Sequence, residues 1–224
     1  MENSNNKKFR CAVLNKNEII NHKGCYFFLR RLRDIIFSLI ALILLSPIML
    51  IITLVVFIDS PKANPIFVQE RVGLNGKVFK LYKFRSMIPD AEKKLGELLA
   101  FNEMEGNAFK IKNDPRITKV GRFLRMTSLD ELPQLVNIIK GDMSLVGPRP
   151  PLPREVAEYD EYELQRLYVT PGLTCYWQIL PDRNDIPFDK WVDLDIKYIK
   201  ERSMKTDFII IFKTFSAVFG MNGV

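Results

Sequence analysis

The chain has 224 residues, 47% of them hydrophobic and 26% charged, which suits a domain with a sizeable core and excludes an intrinsically disordered chain. Its net charge of +7 gathers at one end, because residues 1–34 hold eight basic and three acidic side chains while residues 59–224 hold twenty-five and twenty-three. No basic stripe is left for a nucleic-acid-binding body, and three scattered cysteines with one histidine exclude a disulfide scaffold and a Cys/His zinc site.

Residues 1–28 are polar and read as a loosely ordered arm. His22 lies in it and reads as inert, so acid–base chemistry falls to carboxylates, Lys, Tyr or a metal-bound water. Residues 35–58 are a run of 24 without a charge. As a straight helix the run is about 36 Å long, against a hydrocarbon core of about 30 Å. It is too long, and starts too late, for a cleaved signal peptide. The plain expectation is a single spanning helix, but two features disturb it. Ser46-Pro47 falls mid-run, where Pro47 removes a backbone hydrogen bond and a serine hydroxyl can serve the freed carbonyl. Lys16, Lys23, Arg30, Arg31 and Arg33 precede the run, against Lys62, Arg71 and Lys77 after it. The positive-inside rule then keeps the N-terminus cytoplasmic, and a spanning helix would put the whole body outside. A body with a cytosolic substrate instead requires the helix to turn back at Ser46-Pro47.

Pro61 and Pro65 mark a linker. Runs at 66–72 and 77–84, joined by Gly73-Leu74-Asn75-Gly76, predict a β-hairpin with Phe79, Leu81 and Lys83 on one face. Helices are expected at 89–104, 118–126 and 128–140, the last with Leu132, Leu135, Val136 and Ile139 at helical spacing and Gly141 as its stop. A Tyr-rich charged helix is expected at 155–168, a loop or short strand at 171–178, and helices at 191–200 and 207–219.

The densest cluster of chemistry is residues 127–150, TSLDELPQLVNIIKGDMSLVGPRP. Ser128 and Glu131 have capping-box spacing, so Glu131 can simply cap a helix. Alternatively Asp130 and Glu131 are paired carboxylates at a helix N-terminus, a place that suits a phosphate substrate, Mg²⁺ or an attacking Asp. Arg116, Arg122 and Arg125 precede the pair and Arg149 follows it between two prolines, and arginine forks match phosphate oxygens. Each arginine taken singly also fits a solvated ion pair. No Walker A motif and no GxGxxG occurs.

Together these residues resemble the bacterial sugar transferases, the monotopic polyprenyl-phosphate phosphoglycosyl transferases. The matching stretches are RRLRD (30–34) leading to Ser46-Pro47, IFVQERVGLNGKVFKLYKFRSM (66–87), the block 114–150, PGLT (171–174) and the helix with Leu194-Asp195. The resemblance implies transfer of a sugar 1-phosphate from a UDP-sugar to polyprenyl (undecaprenyl) phosphate, with Mg²⁺, at the inner face of the cytoplasmic membrane. It makes Asp130 the nucleophile and Mg²⁺ ligand and gives Glu131 a supporting role. Lys83, Arg125 and Arg149 match basic residues around the phosphates, and Asp195 matches a further acidic site residue. The fold it implies is α+β: a re-entrant helix hairpin over 29–60 bent at Ser46-Pro47, a small β-hairpin and interfacial amphipathic helices around a cytosolic domain at 61–224. The expected partners are the UDP-sugar, polyprenyl phosphate and membrane lipid, without nucleic acid, and a homodimer is compatible with it. Thr170 stands where related chains often carry a basic residue, and the order Cys175-Tyr176-Trp177-Gln178, Asp182-Arg183-Asn184 and the charged Arg33 also depart from the pattern. Cys175 reads as a packing residue, and Trp177 and Tyr176 as core. The rival readings are a UDP-sugar pyrophosphohydrolase and a catalytically inactive membrane scaffold of the same family.

Overall fold

A computed structural model of the chain describes residues 14, 15, 19, 24–98, 111, 114–181 and 186–219. Cys11, His22 and Asp182-Arg183-Asn184 lie outside the described residues. Helix α1 (Gly24–Asp59) carries the whole apolar run, and starts five residues ahead of the expected boundary at 29. Pro47 has no N–H for the carbonyl of Ile43, four residues back. The Ser46 hydroxyl donates to that oxygen at 2.9 Å, so the freed acceptor finds its partner within the helix.

The body touches α1 in two separate stretches. Its buried residues are Arg30, Arg33, Asp34 and Ser38 before Ser46-Pro47, and Ile52 and Val56 after it. Between them Ile43 and Leu44 are 71% and 70% exposed, which leaves the middle of the helix clear of the body. In a soluble protein so long an apolar helix would be covered by neighbours; here most of its large side chains face outward. Phe123 and Met126 of α3 and Ile209, Phe212 and Phe215 of α8 (both defined below) add to the exposed apolar surface.

Strands β1 (Ile66–Val72) and β2 (Val78–Phe84) form the expected antiparallel hairpin, in register from Ile66↔Phe84 to Val72↔Val78. Its turn needs left-handed backbone at Asn75 (φ +56°) and Gly76 (φ +79°), types that tolerate it. Phe79 and Leu81 are buried against Leu135, Ile138 and Met143. Asn137, fully buried, accepts from Tyr82 N at 3.1 Å and donates to Lys80 O at 2.7 Å, so one amide satisfies the outer edge of β2.

Beyond the hairpin, α2 (Leu95–Leu98) is the described part of the helix expected at 89–104; residues 89–94 are turns, and 99–104 lie outside the described residues. Helix α3 (Lys119–Met126) is capped by Thr118, whose Oγ1 accepts from Gly121 N at 2.9 Å. The helix expected at 128–140 is two elements, a 3₁₀ turn (Leu129–Glu131) and α4 (Gln134–Lys140). Pro133 between them has no N–H to continue the ladder. Gly141 ends α4 at φ +92°, as expected, and the Arg31 guanidinium donates to the carbonyls of Ile138 and Ile139 at 2.5 and 2.6 Å.

Strand β3 (Ser144–Val146) pairs in parallel with β4 (Gly172–Thr174). The helix expected at 155–168 is instead α5 (Pro153–Val156), α6 (Glu161–Leu164) and a 3₁₀ turn (Gln165–Tyr168). Asp160 interrupts it by capping α6: its side chain accepts from Glu163 N, and Glu163 returns a bond to Asp160 N. A 3₁₀ turn (Trp177–Ile179), α7 (Phe188–Glu201) and α8 (Met204–Phe219) complete the described chain. Val146, Val192, Ile196, Ile199 and Ile210 form the core that joins α7 and α8 to β3. The architecture is mixed helix and sheet with one long apolar N-terminal helix.

Charged groups fasten the start of α1 to this core. Arg33 meets Asp34 and Asp207 at 2.7 Å each, and Tyr198 donates to Asp207 at 2.9 Å. Arg30 donates to Ser144 Oγ and to the carbonyls of Val146 and Thr170. Arg33, a departure by charge, is thus a fully paired buried cation.

Candidate active site

The 3₁₀ turn Leu129–Glu131 holds the two carboxylates, and it starts from Ser128 at φ +56°, a left-handed conformation that is strained for serine. The Ser128 side chain makes no capping bond, so the capping-box reading fails. Glu131 turns instead to Lys83, which stands on the Phe79–Leu81 face of β2 and donates to Glu131 Oε1 at 2.7 Å. The same ammonium lies 4.0 Å from Asp130 Oδ2.

Asp130 is buried, and among the described residues its carboxylate has this one ion pair and takes no hydrogen bond. Burial pushes its carboxyl above the ordinary aspartate value, and the charge of Glu131 adds to this. Lys83, Arg125 and Arg149 pull it back only in part. Burial acts on Glu131 too, but there Lys83, Arg149 and Arg71 outweigh it and hold the carboxyl below its usual range. The two neighbours are therefore driven apart.

Two arginines act on the pair, one from α3 and one from the 147–150 loop. Arg125 on α3 is anchored by Nε on Ser86 Oγ at 2.9 Å. Gly121, one turn earlier, permits this: a Cβ there would stand 1.9 Å from Ser86 O. Arg149 lines a shallow open cleft with Lys83 and Glu131. Its loop is braced where Gly172 meets the 147 backbone, since a Cβ on Gly172 would come within 2.0 Å of Gly147 N.

Asp195 lies behind this wall. It is fully buried on α7, pairs with Arg166 at 2.8 Å, and Arg166 reaches the Arg149 carbonyl at 3.4 Å. Burial raises the Asp195 carboxyl to about 6, against the pull of Arg166. Among the described residues it touches neither Asp130 nor Glu131, so the structure gives it a bracing position. Ser46 and Pro47 sit in exposed α1, apart from the cleft. Cys175 is buried, with burial pushing its thiol up, and Trp177 stacks on Trp191 at 4.2 Å, so both belong to the packing.

The cleft wall also holds polar residues that the sequence does not mark as site candidates, Arg71 and Gln134 among them. Arg71 was read only as flanking charge, and Gln134 fell inside an apolar helical pattern. Gln134 is three residues after Glu131, a spacing that puts both on one side of a turn and could have marked it.

Among the described residues no three or more His, Cys, Asp or Glu side chains gather to cage a metal. Mg²⁺ keeps several waters and binds through one or two carboxylates plus substrate phosphates, and a buried, unbonded Asp130 beside Glu131 fits that donor set.

The family profile described as bacterial sugar transferase matches residues 25–221. This chain belongs to the bacterial sugar transferase family. Within the family it is 45% identical over 197 residues to the galactosyl transferase CpsE of Streptococcus agalactiae, covering 88% of this chain and 43% of that one. It is 46% identical over 201 residues to the undecaprenyl-phosphate galactose phosphotransferase of Salmonella typhimurium, covering 88% and 41%. This family member thus spans about two fifths of the length of those two relatives. With the exopolysaccharide production protein ExoY of Rhizobium meliloti it shares 42% identity over 194 residues, 84% of each chain.

Proposed function

We propose that this chain transfers a sugar 1-phosphate from a UDP-sugar to polyprenyl phosphate, releasing UMP, as the opening membrane step of a surface glycan. Asp130 carries the reading. A buried carboxylate without a hydrogen bond, ringed by Lys83, Arg125 and Arg149, is poorly placed for stability and well placed to meet an electrophilic phosphorus. Three cations against two carboxylates leave a positive surplus that favours an anionic diphosphate. One relative's name states phosphotransfer to undecaprenyl phosphate and another's states exopolysaccharide production, which supports both halves of the proposal.

An Asp130 carboxylate oxygen attacks the β-phosphorus of the UDP-sugar, the bond from that phosphorus to the bridging oxygen breaks, and UMP leaves with the bridging oxygen. Asp130 then holds the phospho-sugar as an acyl phosphate. A phosphate oxygen of the lipid attacks the same phosphorus, the aspartyl bond breaks, and polyprenyl diphosphate-sugar departs with Asp130 regenerated. Arg125 and Arg149 neutralise charge on the transferred group, and Lys83 keeps Glu131 ionised beside it. Mg²⁺ held by Asp130 and substrate phosphates would supply further charge neutralisation.

We also propose that α1 is re-entrant and that the body faces the cytosol at the inner membrane. Both halves of α1 rest on the same body, one through Arg30 to Ser38 and the other through Ile52 and Val56 against Phe84 and Leu124. A straight spanning helix would carry its second half across the bilayer from that body. The basic residues ahead of the run, and the exposed apolar side chains on α3 and α8, support a monotopic seat in one leaflet.

The test is UMP release by nanodisc-held protein with Mg²⁺, undecaprenyl phosphate and a panel of UDP-sugars, alongside Asp130→Asn. The expected result is lipid-dependent UMP from one or two sugars, reduced about 10³-fold or more in the variant. Full catalytic UMP release without lipid would make the chain a pyrophosphohydrolase instead. An Asp130→Asn protein as active as the parent would remove the proposed nucleophile.

A further inference from the structure

The proposed reaction uses Lys83, Arg125 and Arg149, and it leaves one buried cation in the cleft without a role. Arg71 on β1 is 8% exposed and lines the cleft beside Lys83 and Arg149. Its Nε and Nη2 donate to Gln69 Oε1 at 3.1 and 2.7 Å, and its Nη1 donates to Pro150 O at 2.9 Å. These are neutral acceptors, they use three of five N–H groups, and among the described residues no carboxylate lies within ion-pairing distance. The buried Arg33, Arg116 and Arg166 each meet a carboxylate at 2.6–2.8 Å. Arg30 and Arg202 also rest on carbonyls, but they do not line the cleft. Burial and the like charge of Arg149 push the Arg71 guanidinium down to about 10, against the pull of Glu155 and Glu131, so it remains a cation at neutral pH.

Gln134 supplies a second, independent observation. It is 3% exposed, it opens on the same cleft, and among the described residues its amide makes no hydrogen bond. The amide keeps its donors open toward the cleft, where a ligand oxygen can take them. The wall it shares with Arg71 contains Glu131 and not Asp130.

We propose that Arg71 and Gln134, with Arg149, form an oxyanion subsite for a phosphate monoester, used first by the departing nucleotide and then by the incoming lipid. The inference rests on the proposed reaction. In each in-line displacement the group opposite Asp130 is a phosphate: UMP leaves from that side, and the lipid phosphate must attack from it. One subsite therefore serves both, and its donors face the two phosphates in turn.

The experiment uses full-length protein in nanodiscs, carrying Asp130→Asn so that nothing turns over. Binding of UMP, uridine and farnesyl phosphate is measured by calorimetry for Arg71→Gln, Arg71→Lys and Gln134→Leu. Arg71→Gln should weaken UMP and farnesyl phosphate by a similar factor, tenfold or more, and leave uridine unchanged. Arg71→Lys should recover part of the loss, and Gln134→Leu should weaken both phosphates a few-fold. Unchanged phosphate binding in Arg71→Gln overturns the subsite, and an equal loss of uridine shows that the 150 loop has moved and overturns it too. Loss for UMP alone overturns the shared use. If Arg71→Gln does not fold, UMP and farnesyl phosphate must still compete on the unaltered Arg71 background, and simultaneous binding sinks the idea. Phosphate binding through Arg71, together with a protein with Asp130 intact that turns over no UDP-sugar, would refute the proposed reaction and leave the subsite standing.

Discussion

As the proposed nucleophile, Asp130 would attack only when ionised, and its surroundings set the pH at which that happens. Burial, with Glu131 beside it, raises its carboxyl above 3.8, and Lys83 is the largest pull in the other direction. In single-turnover UMP release the acid limb should therefore lie above that value, and Lys83→Met should move it further upward. A limb at 3.8 or below would contradict the burial argument. Asp195 gives a stability counterpart. Its folded-state value of about 6 exceeds that of an unfolded aspartate, so its contribution is complete below about pH 4 and is lost as pH rises through about 6. Thermal unfolding of Asp195→Asn should show a flatter pH dependence between 4 and 7 than the parent; identical slopes would mean that Asp195 does not titrate there. The carboxylate pair and Lys83 were legible because strand alternation placed Lys83 at the edge of an apolar face. Arg71 and Arg166 were not, since a lone arginine in a strand or a charged helix looks the same whether it meets solvent, a carboxylate or a cleft. Ser128 and Glu131 show the opposite error, a capping spacing whose serine is held left-handed and caps nothing.

At the scale of elements, the site depends on close backbone approaches more than on long helices. Gly121 against Ser86 is the tightest on the catalytic side, and it seats the turn of α3 that carries Arg125. Gly121→Ala should displace that turn, destabilise the protein by about 1–3 kcal/mol and lower kcat. Chemical denaturation and turnover would both report it, and a variant of parental stability would show that the helix can slide without loss. The hairpin, α3, α7 and α8 were readable from periodicity and turn residues. The helices expected at 128–140 and 155–168 were too long for a local reason. Pro133 cannot donate to the ladder, and Asp160 with Glu163 offers the backbone a competing cap.

For the whole molecule the question is on which side of the bilayer the two ends of α1 emerge. With the native cysteines replaced, single cysteines placed near residues 20 and 64 should react with an impermeant reagent from the same, cytoplasmic side. Labelling from opposite sides would make α1 a spanning helix and the body external. The sequence posed this question through its flanking charge, and it named Ser46-Pro47 as the pivot. It could not disclose that Ile52 and Val56 return to the core, because an apolar run carries no mark that separates lipid-facing from protein-facing positions.

The double seat of α1 also bears on any attempt to obtain a water-soluble catalytic fragment. A chain starting at residue 60 would expose Phe84 and Leu124, strip the caps that Arg31 places on α4, and release β3 from Arg30. Those are the supports of Lys83, of the carboxylate turn and of the Arg149 loop. Deleting the membrane helix therefore dismantles the chemistry instead of liberating it. Surfactant or lipid around α1 becomes a structural ingredient of the folded protein, and its heat resistance should track the amphiphile chosen to carry it.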